Sequence, residues 1–160
     1  MREIKRIILH CSDSSWGTAS VIEKWHTDPN KPGGPFHSIG YHYVLCSGVL
    51  RVGEKYNKDY DGVIQRGRED EVQGAHVKGH NEDSIGICLI GDHTFTYTQL
   101  FKTLPKLLSQ LMDKYNLTTE DIIGHYELDD KKTCPNIDMD LYRKMIETTR
   151  SPRPHPRTGK

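Results

Sequence analysis

Two apolar runs in this chain end on histidine, Ile7-Ile8-Leu9-His10 and Ile122-Ile123-Gly124-His125. Cys134 follows in Lys131-Lys132-Thr133-Cys134-Pro135, on the stretch just after the second run. Two imidazoles and a thiolate suit zinc, and three protein ligands leave one tetrahedral position for water, which marks a catalytic site rather than a structural one. Metal-assisted hydrolysis is the chemistry that a convergence of His10, His125 and Cys134 would allow. The chain holds 9 histidines, so each of the three could equally be an ordinary hydrogen-bonded polar residue. Spacing alone leaves both readings standing.

The elements that must carry these residues can be read from periodicity. Residues 4–10 form an isoleucine-rich strand, and Thr18 or Ser20 caps a helix reaching about His26 with Val21, Ile22 and Trp25 at helical spacing. Residues 28–35, rich in Pro and Gly, are a loop. Gly40 to Cys46 reads as a strand that puts Tyr41 and Tyr43 on one face, a further short strand is expected at Val49 to Val52, and Asp61-Gly62 signals a hairpin before Val63-Ile64-Gln65. Ser84 to Ile90 is apolar enough for a central strand. Thr96 and Gln99 fit a capping box. Behind them Leu100, Phe101, Leu104, Leu107, Leu108, Leu111, Met112 and Tyr115 form a helical stripe, which Pro105 should kink. A last helix over 138–148 carries Leu141, Tyr142, Met145 and Ile146. The order β-α-β-β-β-β-α-β-α gives an α/β fold, one mixed central sheet flanked by helices, with His10 and His125 at strand ends where such sheets present their chemistry. Residues 1–148 form one domain, and 149–160 a basic, Pro-rich tail. Arg153, Arg157 and Lys160 in that tail either hold anionic polymer or belong to a plain disordered end.

Composition removes several classes of function. The 160 residues carry 22 basic and 22 acidic side chains, so no net field draws the chain to nucleic acid or to a membrane surface. No apolar run approaches membrane-spanning length, and the first residues lack the pattern of a secretory leader, so a cytoplasmic site of synthesis is expected. The four cysteines, Cys11, Cys46, Cys88 and Cys134, are widely spaced without a CxxC pair, unlike a disulfide framework. Cys46 and Cys88 sit in apolar runs as buried thiols. Cys134 does not.

A series of short motifs then points to a family. The segment Gly74-Ala75-His76, Asn81, Ser84-Ile85-Gly86-Ile87 resembles the signature of type-2 N-acetylmuramoyl-L-alanine amidases, which include phage lysozyme amidases and animal peptidoglycan recognition proteins. Leu9-His10-Cys11-Ser12, Trp25-His26, Gly40-Tyr41-His42-Tyr43, Gly67-Arg68-Glu69-Asp70, Gly124-His125 and Thr133-Cys134-Pro135 extend the resemblance, in family order, over residues 4–146. The resemblance implies one zinc ion on His10, His125 and Cys134, catalytic assistance from Tyr41 and Lys132, and a substrate-facing His76. Lys131 competes with Lys132, because the segment between His125 and Cys134 is one residue longer than in phage lysozymes. Asn81 is expected to hold its loop. Arg68 should either close the loop before the signature through an acidic partner or be solvated. His26, His37, His42, His80 and His93 have no argument for a role.

The implied activity is hydrolysis of the amide between the lactyl group of N-acetylmuramic acid and L-alanine in peptidoglycan, by a monomer of the phage or prophage endolysin kind. Two other readings are a peptidoglycan-binding module without turnover and a cytoplasmic amidase of muropeptide recycling. Cysteine as third ligand argues against the recycling branch, which uses aspartate, and the complete donor set argues against the binding module. A regulator acting on another protein is a further reading, for which the shared motifs carry no contacts. The general base and the role of the long 47–60 stretch stay open.

Overall fold

The computed structural model describes residues 1–150; the tail from Ser151 lies outside the described residues. Five strands make one mixed sheet in the order β3-β2-β4-β1-β5. Strands β1 (Arg6–Cys11) and β4 (Ser84–Leu89) lie inside it and are paired in parallel, with His10 opposite Cys88. The fully buried run of β4 explains its apolar sequence, since both of its faces are covered. Strand β5 (Ile122–Gly124) pairs in parallel with β1, and β2 (Tyr43–Ser47) with β4, while β3 (Asp61–Arg66) closes the far edge antiparallel to β2.

Helices cover the two faces. Helix α1 (Ala19–Thr27) starts at Thr18, whose hydroxyl accepts from the Val21 amide at 3.1 Å, and it sets Ile22 beside Ile39, Val44, Cys88 and Ile90. On the other face α2 (Leu104–Tyr115) and α3 (Met139–Thr149) bury Leu104, Leu108, Met112, Tyr142 and Ile146 against Ile7, Leu9, Ile85 and Ile87. The period of two along β1 therefore turns Ile7 and Leu9 to the α2–α3 side and His10 to the α1 side.

Several expectations are corrected here. Residues 49–52 do not form a strand; they turn, leaving Val52 73% exposed, so the order holds one strand fewer than read. Asp61-Gly62 is not a hairpin turn but the start of β3, where Gly62 has φ 77 and the pairing with β2 shifts register between Leu45 and Ser47. Strand β2 begins only at Tyr43, so Tyr41 lies on the loop before it. Thr96 and Gln99 do form the reciprocal box, at 3.0 and 2.9 Å, and the buried Gln99 amide also donates to the Leu45 and Ile90 carbonyls. Pro105 lies inside one helical run over residues 97–115, and residues Gln99–Thr103 just before it wind as a wide π turn, which accommodates its missing N–H. Phe101 and Leu141, placed on apolar stripes, are 50% and 67% exposed. Helix α3 continues to Thr149, and the Arg150 amide bonds the Ile146 carbonyl.

Candidate metal centre

His10 is the fifth residue of β1, and His125 opens a 3-10 turn directly after β5, so two parallel strands deliver both rings to one end of the sheet. The His125 turn is braced from behind. Glu127 accepts from the Gly124 amide at 2.8 Å, and Arg143 of α3 grips Glu127 at 2.9 and 2.7 Å while bonding the Ile122 carbonyl. The Tyr126 amide donates to the Cys134 carbonyl at 3.0 Å, which folds the cysteine back over the histidine.

The three donors meet. His10 Nδ1 is 3.1 Å from His125 Nδ1, which is 3.2 Å from Cys134 Sγ, and all three atoms lie within 4.8 Å of one another. Tetrahedral zinc, with bonds of about 2.0–2.1 Å to nitrogen and about 2.3 Å to sulfur, would separate N from N by about 3.3 Å and N from S by about 3.6 Å. The observed edges agree to a few tenths of an ångström. Electrostatics favour the same protonation states that zinc requires. Burial depresses the pKa of His10, keeping it neutral, while the Cys134 thiol is pulled well down by the adjacent Cys11 thiol and by His10 and His125, against burial. The residues present fit the ion.

Around this trio the other expected residues take definite places. The Tyr41 ring is 5.0 Å from that of His10, centroid to centroid, and burial pushes its phenol well up, so it stays a donor. Its loop is held firmly. The Tyr41 carbonyl accepts from the Arg68 amide at 2.9 Å, and a Cβ on Gly67 would strike that carbonyl oxygen at 2.1 Å. Arg68 makes no ion pair among the described residues; its half-buried guanidinium donates to the carbonyls of Ile39, Gln73 and Ser38, strapping two loops together. Lys131 and Lys132 are both exposed, but Lys132 is the lysine whose charge bears on His10. His76 Nδ1 is 2.8 Å from His10 Nε2, and its Nε2 is 3.2 Å from Ser84 Oγ. Asn81 holds the loop as expected, accepting from the His76 and Val77 amides at 2.8 and 2.9 Å.

Other residues escaped sequence reasoning. His42, fully buried, accepts from the Gly86 amide at 2.9 Å and donates to the Val72 carbonyl at 2.9 Å, locking the strand entry next to Tyr41. His26 Nδ1 accepts from the Gly40 amide at 2.9 Å on the other side of that entry. Asp70, also buried, gathers Tyr43, Tyr115, Lys114 and Arg66 at 2.6–3.0 Å. Their signal is weak because, apart from Arg66 four residues before Asp70, each partner is dozens of residues away or is backbone.

Fold and site together define an α/β domain with a buried two-histidine, one-cysteine candidate metal centre at the carboxyl ends of parallel strands. The chain belongs to the Amidase_2 family, N-acetylmuramoyl-L-alanine amidase, whose model matches residues 1–137. It is 28% identical to the endolysin of Escherichia phage T7 over 158 residues, covering 92% of this chain and 90% of that one. The endolysin of Klebsiella phage KP32 is likewise 28% identical over 150 residues, covering 86% and 84%. Among solved structures, the amidase LysC from Clostridium intestinale superposes with a TM-score of 0.70 at 24% identity, over 91% of this chain and 87% of that one. Among the described residues no helix is long and apolar enough to cross a membrane.

Proposed function

We propose that this chain is a zinc-dependent N-acetylmuramoyl-L-alanine amidase of the endolysin kind, cutting the amide between the lactyl group and L-alanine of peptidoglycan. The observation that carries this reading is the meeting of His10, His125 and Cys134 in a member of the amidase family. Zinc bound there would supply Lewis acidity toward the amide carbonyl and an activated water near neutral pH. The protein's own groups supply the rest. Tyr41 donates its phenol hydrogen to the oxyanion that develops as the carbonyl becomes tetrahedral, and the Lys132 ammonium adds charge from the exposed side. Each such donor is worth on the order of 3 kcal/mol. His76 borders the same space with both ring nitrogens engaged inside the protein, so its contact with substrate falls to the ring face. All three metal donors come from one chain, which suits action as a monomer. The complete donor set favours turnover over a binding-only module, and cysteine as third donor favours the endolysin kind over muropeptide recycling.

The test is dye release from labelled sacculi, by wild type with and without chelator and by Cys134→Ser. Release that stops on chelation, returns with zinc and yields new L-alanine amino termini is expected. Full release after chelation, or new reducing ends without amino termini, contradicts the proposal.

A further inference from the structure

We infer that Ser84 is a positioning residue whose hydroxyl, acting through His76, sets the ring proton of His10 on Nε2 and leaves Nδ1 as the lone pair facing the metal. This rests on the metal site of the proposed function, but it concerns residues behind that site. Ser84 is fully buried at the start of β4 and is not one of the donors.

The direction of each bond follows from one short distance. Ser84 Oγ lies 2.6 Å from the His80 carbonyl oxygen. Two oxygens that close need the hydroxyl hydrogen between them. A hydroxyl has a single hydrogen, so toward His76 Nε2, 3.2 Å away, Ser84 can only accept, and that nitrogen carries the proton. A neutral imidazole has one N–H. His76 Nδ1 is therefore an acceptor, and His10 Nε2, 2.8 Å from it, is the donor. His10 is left with a bare Nδ1, the atom that stands 3.1 Å from His125 Nδ1.

The relay needs its third member for a chemical reason. Metal-binding histidines usually give their second N–H to a carboxylate or carbonyl, groups that can only accept. Here the partner of His10 is another imidazole, which accepts at Nδ1 in one tautomer and donates there in the other. Without Ser84 the two forms of His76 would lie close in energy, and one of them opposes N–H to N–H against His10. The ring is also built into place. A Cβ on Gly74 would meet the His76 ring at 2.5 Å and one on Gly86 at 2.7 Å, so glycine at both positions makes the slot the ring occupies. Asn81 fixes the His76 backbone from the remaining side.

The experiment is long-range proton–nitrogen NMR of histidine-labelled, zinc-free full chain, paired with zinc affinity by chelator competition, for wild type and Ser84→Ala. In wild type, His10 and His76 should both carry the proton on Nε2. In Ser84→Ala, His76 should become a mixture of tautomers, and zinc affinity should fall about 10–100-fold, as for loss of other outer partners of metal-binding histidines. A proton on Nδ1 of His76 in wild type overturns the inference, even if the variant does not fold. So does a folded Ser84→Ala with unchanged tautomers and unchanged zinc affinity. Wild type that shows the expected tautomers yet takes up no zinc would refute the metal reading instead.

Discussion

Replacing Gly86 by alanine probes the same region without touching a hydrogen-bonding group. Gly86 sits within β4 at an ordinary strand φ, so alanine meets no backbone penalty there, and both of its backbone bonds to His42 stay available. The added methyl, however, would stand 2.7–2.8 Å from three atoms of the His76 ring. Carbon atoms pack at about 3.5 Å or more, so the ring must retreat by about 0.8 Å. Gly74 is also tight against the ring, a Cβ there meeting the same Cδ2 atom at 2.5 Å, so the ring must shift bodily, and its contact with His10 with it. The 2.8 Å bond to His10 Nε2 would then stretch past the range of a hydrogen bond. Two consequences can be measured separately. Overpacking should cost about 1–3 kcal/mol in urea unfolding of the zinc-free chain. Zinc affinity, measured by chelator competition on the folded fraction, should fall about 10–100-fold, or roughly 1.4–2.7 kcal/mol. A folded Gly86→Ala chain that binds zinc as wild type does would refute the claim that the slot governs the metal site.

Tyr41→Phe should lower kcat for sacculus digestion by roughly 100-fold or more while zinc stoichiometry stays at wild-type level; unchanged turnover removes the phenol from the mechanism. Lys132→Ala should slow turnover while Lys131→Ala leaves it near wild type, and the reverse order would transfer the role to Lys131. Zinc removal should lower Tm, and readdition should raise it with rising zinc concentration, the stabilisation reaching about 4 kcal/mol at a thousandfold excess over Kd; a Tm indifferent to zinc would contradict a folded-state site. Asp70 links stability to acid. Burial alone would raise its pKa, but Tyr115, Lys114, Tyr43 and Arg66 outweigh burial and hold it at about 2, against 3.8 unperturbed. Its stabilisation is thus complete above pH 4 and lost as pH falls through about 2. Up to about 2 kcal/mol is at stake, nearer 1 kcal/mol once solvent at exposed Lys114 and Arg66 is allowed for. Urea unfolding at pH 5 and pH 2.5 should show wild type losing more than Asp70→Asn by that amount; equal losses would reject the linkage.

Of the candidate donors, His10 and His125 were legible as histidines ending apolar runs, whereas Cys134, in no such run, was tied to them by the family resemblance. The cap at Thr96 was legible because a cap is a contact over three residues, and of the two caps offered for the first helix, Thr18 or Ser20, the structure uses Thr18. What periodicity could not show were partners brought together by the sheet. Ser84 meets His76 only because the loop of 76–83 doubles back, and Gly86 lies under His76 only because β4 runs beneath it. Arg68 was read as seeking an acid or lying in solvent, yet its hydrogen bonds go to loop carbonyls, invisible in a residue pattern. The strand expected at Val49 to Val52 failed because β-branched residues alone do not make a strand without a partner edge.

The candidate donors are drawn from positions 10, 125 and 134, so nearly the whole described chain separates the first from the last. During synthesis His10 leaves the ribosome long before Cys134 does, and β5 is the last strand to emerge, adding its three residues to a β1 made long before. A partly made chain therefore cannot assemble the centre, however well its inner strands have paired. A metal centre built from these three donors would thus be completed only when the last turn of the chain has folded back.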